Sequence, residues 1–447
     1  MKITLINSIV SIYQEWYQLW GYNYGLGYMQ AVLDKAGHDT EYIIIGKDNG
    51  EEVMSHLVAE KPDIIAISVT TPEYNHIRSI VPQLKKSSGA FIVLGGVHFT
   101  LNPESMAEIP DADAVIIGEG EYPLLELASA LENKDDFTKI RSGWFRKGCQ
   151  VIKNPVRPPI QDINTLPFPE KGSVDYQKIL EENSGVNRFI FSRGCPYDCS
   201  YCCNKAISEV YPSGSKYYRF LTPENSIELI RRDARKYQFS RIIFDDDILT
   251  MNKAWFYRFM ELYKKEFSYP FRCNLRVETV TEDMIIKLKE AGAEDIAIGI
   301  EHGNEEFRRK VLNRHMSNRQ IEQVFEWCEK HHLKHKDDFV MVGFPYETKE
   351  LFLDTVRLCR KLNVDNKPSI FYPYTNTGIE CLCREKGWVI DRTAPERQRA
   401  TIDIPGFPKE EIELCREVFQ TLVRHKEIPL DMPLAEVKRK FILNKEA

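Results

Sequence analysis

The sequence has 447 residues, with 60 Lys and Arg against 66 Asp and Glu and a formal net charge of −6. At ~150 residues per domain, that length suggests two or three domains, and the slight acidity argues against a general nucleic-acid binder. Eleven cysteines, odd in number and thinly spread, do not make a secreted disulfide scaffold, and no apolar run is long enough to span a membrane, so the expectation is a cytoplasmic protein with free thiols.

Residues 1–135 alternate short apolar runs with amphipathic stretches. The predicted strands are 2–6, 40–46, 63–69, 91–96 and 114–118. The predicted helices are 25–38, 49–61, 74–89, 102–109 and 121–133. Continuous apolar strands between such helices specify a parallel, doubly wound sheet covered on both faces. Residues 136–185 break the pattern. GWFRKGCQVIKNP reads as a small hairpin, and PVRPPIQDINTLPFPEKG, with five prolines in eighteen residues, cannot be a helix.

A second βα series begins near 187. Its predicted strands are 187–194, 240–247, 269–278, 294–301, 335–345 and 368–375. Thr222 is a candidate N-cap for the helix 222–237, and a glycine stops the helix 281–292. Six βα units in under 200 residues suit a partial or full α/β barrel. The remainder is charged and helical, ending in a basic run at 438–445. The resulting division is 1–138, a doubly wound domain; 139–185, a hairpin and proline-rich linker; 186–388, the barrel; and 389–447, a helical C-terminal region.

The strongest chemical signal is SRGCPYDCSYCCN at 192–204. Cys195, Cys199 and Cys202 stand in C-x3-C-x2-C spacing directly after the first barrel strand, at the edge where barrels place their active sites. Three thiolates on one loop can hold three irons of a 4Fe–4S cube and leave the fourth metal position open. A zinc knob completed by a distant ligand is the alternative. Cys203 is adjacent to Cys202, so both cannot easily point into one site.

This spacing, with aromatic Tyr201 before the third cysteine, resembles the radical S-adenosylmethionine enzymes. The resemblance implies that the open iron is chelated by S-adenosylmethionine and that one electron releases a 5′-deoxyadenosyl radical. It carries further residues with it. Tyr201 would lie near adenine. The Asp245-Asp246-Asp247 turn replaces the usual Gly-Gly-Glu that meets the amino group. Arg276 and Glu301 would lie near the carboxylate and ribose, and Gly343 and Phe344 would back the adenine. Read without the resemblance, the acidic turn could bind a divalent metal or start a helix, and Arg276 and Glu301 could simply pair with each other.

In the first domain, ligands belong outside the carboxyl ends of the strands. The loops there are 68–76, 95–104 and 118–121. They do not carry the G-x-G-x-x-G fingerprint of dinucleotide binders. They resemble instead the cobalamin-binding domain that precedes the barrel in one radical S-adenosylmethionine subgroup. By that resemblance Ser68, Thr70, Thr71, Gly95, Gly96, Val97, His98, Gly118, Glu119 and Gly120 contact cobalamin. The D-x-H-x-x-G motif of histidine-ligated cobalamin domains is absent. Seven aromatics, Tyr13, Trp16, Tyr17, Trp20, Tyr22, Tyr24 and Tyr28, follow the first strand. They read as interface packing, with Tyr22 and Tyr24 as possible pocket residues.

Together the resemblances imply a Rossmann-like cobalamin-binding domain, a radical S-adenosylmethionine partial (β/α)6 barrel and a small helical C-terminal region. The implied activity is methyl transfer from methylcobalamin to an unactivated carbon or phosphorus. The alternative is a radical cyclase or carbon–carbon bond-forming enzyme with a degenerate or differently used cobalamin domain. The implied partners are a small-molecule substrate, such as a specialised metabolite or lipid precursor, and an external electron donor such as flavodoxin or ferredoxin.

Overall fold

The computed structural model describes residues 1–10, 21–172, 174–390 and 398–443. Tyr13, Trp16, Tyr17 and Trp20 lie outside these residues, as does part of the basic end.

Strands β1 (Lys2–Ser8), β2 (Asp39–Ile45), β3 (Ile64–Ser68), β4 (Phe91–Gly95) and β5 (Ala114–Ile116) pair in parallel in the order β2-β1-β3-β4-β5. Alternation along the strands sends their side chains to two separate cores. Ile6, Ile65, Ile67, Ile92 and Leu94 pack with Val53, Leu57, Ile77 and Val81. Ile3, Leu5, Ile64, Val93 and Ile116 pack with Leu26, Leu33, Leu124 and Leu127. Strand order reverses between β1 and β3, which marks the binding edge of such a sheet.

The hairpin expected between the domains is part of this sheet. Strands β6 (Gly143–Lys147) and β7 (Gln150–Lys153) add antiparallel to β5 and make it seven-stranded. The outer edge of β5 would otherwise offer unpaired backbone groups, and buried Phe145 fills out one of the two cores.

The barrel is built from β8 (Val186–Phe189), then β9 (Ser192–Arg193) and β10 (Arg219–Phe220), which pair antiparallel outside it, then β11 (Arg241–Phe244), β12 (Phe271–Leu275), β13 (Ala293–Glu301), β14 (Lys334–His335), β15 (Phe339–Val342) and β16 (Ser369–Ile370). The barrel strands run parallel in the order β16-β15-β13-β12-β11-β8, with β14 beside β13. The two end strands do not pair, so the barrel is partial. The single strand expected at 187–194 is split, because the chain leaves the barrel after Phe189 to start the cysteine loop. Helix starts follow the sequence signals. The Thr222 side chain accepts from Asn225 N and that of Thr281 from Met284 N, and Ser317 and Gln320 form a capping box.

The linker crosses the seam between the domains. Lys171 is 3% exposed and pairs with Asp233 at 2.5 Å. It donates to the hydroxyls of Tyr176 at 3.1 Å and Tyr24 at 3.4 Å. Tyr22 donates to Glu170 O at 2.5 Å, and Tyr24 donates to Arg188 O. Both aromatics, singled out in the sequence as possible pocket residues, thus make contacts at this seam. The helix Lys409–Arg424 seats Ile412, Cys415, Val418 and Phe419 in the barrel core. Among the described residues no helix is long and apolar enough to cross a membrane.

Candidate active site

The cysteine loop leaves β9 through Gly194, at φ +78°, where there is no room for a side chain. A Cβ there would lie 2.6 Å from the Tyr217 ring and 2.7 Å from Tyr217 O. Contacts from distant segments then fix the loop. Ser200 donates from N to Leu312 O at 3.2 Å and from Oγ to Val311 O at 2.6 Å. Ile379 N donates to Ser200 O at 3.3 Å. Cys202 is the residue before the helix Cys203–Val210, so its sulfur sits at a helix N-terminus where a negative charge is favoured. A hydrogen bond with the Cys203 thiol holds Cys202 below the ordinary thiol range, whereas burial pushes Cys195 up to about 12. Buried Cys199 accepts from Arg276 Nη1 at 3.2 Å. Arg276 also donates to Glu278 at 2.8 Å and lies over the Tyr197 ring.

The three aspartates of the acidic turn have three different environments. Both oxygens of Asp245 accept from the Arg188 guanidinium at 2.5 Å. Asp247 accepts from Asn204 at 2.8 Å, and the same Asn204 amide reaches Cys202 Sγ at 3.8 Å. Asp246 is 1% exposed, and its Oδ1 accepts from Phe191 N and Ser192 Oγ. Its Oδ2 is buried without a hydrogen-bond partner. Burial raises this carboxyl to about 7, against the pull of Ser192 and Phe191.

On the barrel side, Arg276 and Glu301 do not pair with each other. Glu301 ends β13 with φ at +64°, a conformation a side-chain-bearing residue adopts at a cost. Its carboxylate meets Arg314 at 3.3 Å. Arg314 also donates to the Tyr201 hydroxyl at 3.2 Å and to Gly299 O at 2.8 Å. Tyr201 stands edge-on to Phe344, with ring centroids 5.6 Å apart. Gly343 N and Phe344 N both donate to Glu347 Oε2, at 2.6 and 3.0 Å, and Glu347 faces His302 in the fully buried interior. The structure thus joins Tyr201 and Glu301 through Arg314, a residue with no motif of its own on the loop before the helix Asn318–Lys330, and brings Phe344 against Tyr201, while a Cβ on Gly343 would face Ile412 and Ile370.

Between the domains lies a cavity of about 400 Å³. From the first domain it is lined by Ser68, Gly95, Gly96, Val97, Gly118, Glu119 and Gly120, and from the second by residues 190–194. Tyr24 lines it and Tyr22 does not. Backbone closes in on one of the glycines and a tyrosine side chain on another. A Cβ on Gly96, at φ +88°, would lie 2.7 Å from Val69 N and O, and one on Gly118, at φ +82°, would lie 2.9 Å from the Tyr211 hydroxyl. Three of the expected contacts are not on the cavity wall. His98 is buried with its ring stacked on Tyr74, and its nitrogens meet Thr71 Oγ1 at 3.3 Å and Ser105 Oγ at 3.2 Å. Burial lowers His98 to about 4. Thr70 Oγ1 is buried and unpartnered. Glu119 lines the cavity, but its carboxylate accepts from Arg193, Arg219 and Ile160 N.

The donor sets suit the groups that the sequence implies. By their chemistry the soft sulfurs of Cys195, Cys199 and Cys202 suit an iron–sulfur cube, which takes one thiolate per iron; among the described residues no three His, Cys, Asp or Glu side chains are grouped to share a single metal ion. The orphan Asp246 oxygen suits an ammonium. The glycine loops line the cavity at the sheet's binding edge, where a bound ligand would meet them.

Residues 17–128 match the family model described as B12 binding domain, and residues 189–359 match the Radical SAM superfamily. An uncharacterized methyltransferase of Pyrococcus horikoshii is 27% identical over 361 residues, covering 79% of this chain and 77% of that protein. The anaerobic magnesium-protoporphyrin IX monomethyl ester cyclase of Rubrivivax gelatinosus is 25% identical over 356 residues, covering 76% of this chain and 62% of that protein. Among solved structures, the radical S-adenosylmethionine methyltransferase TsrM from Kitasatospora setae aligns with a TM-score of 0.71 at 17% identity, covering 87% of this chain and 77% of that one, a likeness of fold.

Proposed function

We propose that this chain, a radical S-adenosylmethionine enzyme with a B12 binding domain, is a methyltransferase that moves a methyl group from cobalamin to an unactivated carbon, or to phosphorus, of a small molecule. One observation carries the reading: a single cavity is lined both by the glycine loops of the first domain and by the residues that run into the cysteine loop. When bound, a 4Fe–4S cluster, S-adenosylmethionine and cobalamin supply one-electron cleavage, hydrogen abstraction and the methyl group.

The protein's own work is holding and orienting. Cys195, Cys199 and Cys202 hold three irons and leave one open. The free Asp246 oxygen receives the amino group of S-adenosylmethionine, and Arg314 and Glu301 face its ribose and carboxylate. Tyr201 and Phe344 form the adenine wall, which Glu347 secures through the Gly343–Phe344 backbone. Gly95, Gly96, Gly118 and Gly120 line the cavity in which a corrin would be held. His98 is committed to Thr71 and Ser105 and stands off the cavity wall, so it would not be free to ligate a corrin there.

The electron comes from a separate donor of the flavodoxin or ferredoxin kind, and the setting is the reducing cytoplasm, in keeping with eleven unpaired cysteines. The substrate is a specialised metabolite or lipid precursor. The cyclase relatives motivate a second reading, ring or carbon–carbon bond formation without methyl transfer. Methyl-labelled S-adenosylmethionine separates the two. Label in the product supports methyl transfer, and a cyclised, unlabelled product supports the second reading.

A further inference from the structure

Four charged side chains sit where the cavity loop of the first domain meets the root of the cysteine loop. Arg193 Nη1 donates to Glu119 at 2.9 Å, and its Nη2 donates to Glu121 at 2.6 Å. Arg219, opposite Arg193 in the β9–β10 ladder, donates to Glu119 at 3.1 Å and to Ile160 O at 2.7 Å. Ile160 N closes the ring by donating to the second Glu119 oxygen at 2.6 Å. Glu121 and Arg219 are 3–4% exposed at the side chain, and Glu119 and Arg193 are mostly covered. The charges balance, two against two, as buried charges must.

The placement of this ring gives it a role beyond holding the domains together. Glu119 stands between Gly118 and Gly120, which line the cavity. Arg193 is two residues before Cys195, and the intervening Gly194 is wedged against Tyr217, so movement at Arg193 passes directly to the first cluster cysteine. A guanidinium fork held by two carboxylates fixes angle as well as distance, which an apolar contact or a lysine does not. We propose that Arg193, gripped by Glu119 and Glu121, is a positioning residue that sets the separation and orientation of the cluster relative to the corrin. This rests on the reading that both groups bind.

The test uses the full-length chain, reconstituted anaerobically with iron, sulfide and hydroxocobalamin, as wild type, Arg193→Lys and Arg193→Gln. Iron and corrin contents are measured first. The magnetic interaction between the reduced cluster and cob(II)alamin is then read by electron paramagnetic resonance. The expected result is unchanged loading in all three, one defined interaction in wild type, and its loss to a broad distribution in Arg193→Gln, with partial recovery in Arg193→Lys. Wild-type interaction in a fully loaded Arg193→Gln would overturn the proposal while leaving the function standing. If Arg193→Gln does not fold, the loaded Arg193→Lys decides, and an interaction there as sharp as wild type overturns it. Wild-type protein that takes up no corrin overturns the underlying reading and this proposal with it.

Discussion

Arg276 Nη1 donates to Cys199 Sγ across 3.2 Å, and the same guanidinium lies 3.5 Å from the centre of the Tyr197 ring. The contact places a positive charge and an N–H donor on a sulfur that the sequence assigns to the cluster. Hydrogen bonds to cluster sulfurs are among the determinants of reduction potential. Removing this donor should make the reduced cluster harder to reach. Arg276→Gln is expected to lower the potential and Arg276→Lys to lower it less, read by a redox titration followed by electron paramagnetic resonance. An unchanged potential in Arg276→Gln would show that the contact does not act on the cluster.

Replacing Cys195, Cys199 or Cys202 with Ala should remove most of the iron, about four per chain in the reconstituted wild type, and abolish reductive cleavage of S-adenosylmethionine. Cys203→Ala should retain both. Cys203 begins the helix behind the loop, and it reaches Cys202 through a hydrogen bond rather than by adding a fourth ligand. Iron analysis and the yield of 5′-deoxyadenosine check this.

Asp246 gives the ligand-free protein a signature in pH. Its native pKa of about 7 stands well above its ordinary value of 3.8, with burial as the main cause. Between about pH 4 and pH 7 the native carboxyl keeps a proton that the unfolded chain has released. Its contribution to stability is therefore greatest below pH 4 and falls as pH rises towards 7, by up to about 4 kcal/mol. Asp246→Asn should remove that fall. Denaturant melts at pH 5 and pH 7.5 check it: the stability difference between wild type and variant should shift in favour of the variant at the higher pH.

Lys171→Met should destabilise the chain by about 3–5 kcal/mol, because it leaves Asp233 buried without its cation. The double variant Lys171→Met/Asp233→Leu should recover much of the loss. If the single and double variants melt alike, the stability of the seam does not depend on this pair.

Gly96→Ala should cost about 1–3 kcal/mol from its backbone alone, which combines a positive φ with a ψ of −174°, a region essentially reserved for glycine, and more from the contact with Val69. Corrin uptake should fall with it. Gly50→Ala, where a Cβ meets nothing within 4 Å, serves as the control and should be neutral or mildly stabilising. Thermal melts and corrin titration read both.

Most strands and helices of both domains were legible because each is a local pattern, although the stretch 187–194 divides into β8 and β9 and 335–345 into β14 and β15. Ile65, Ile67, Ile92 and Leu94 announce a doubly covered sheet by their apolar continuity, Thr222 announces its helix by its cap, and Gly292 marks the stop of another. The cysteine loop was legible because its spacing is local too. What the sequence hid lies in contacts between distant segments. Nothing near residue 143 says that the hairpin will pair with β5. Arg314 joins Tyr201 to Glu301 across more than a hundred residues of chain and has no motif. Glu119 reads as a cavity residue, but Arg193, 74 positions away, claims its carboxylate. His98 reads as a cofactor contact from its loop, and only the packing of Tyr74, Thr71 and Ser105 reveals that it is committed elsewhere.

The most direct test of the central claim is anaerobic reconstitution of the full chain with iron, sulfide and hydroxocobalamin, followed by addition of a reductant and methyl-deuterated S-adenosylmethionine. The account predicts about four irons and one corrin per chain, with the deuterated methyl group recovered on the corrin. Protein that carries the full complement of iron but shows no corrin absorbance after desalting would contradict it.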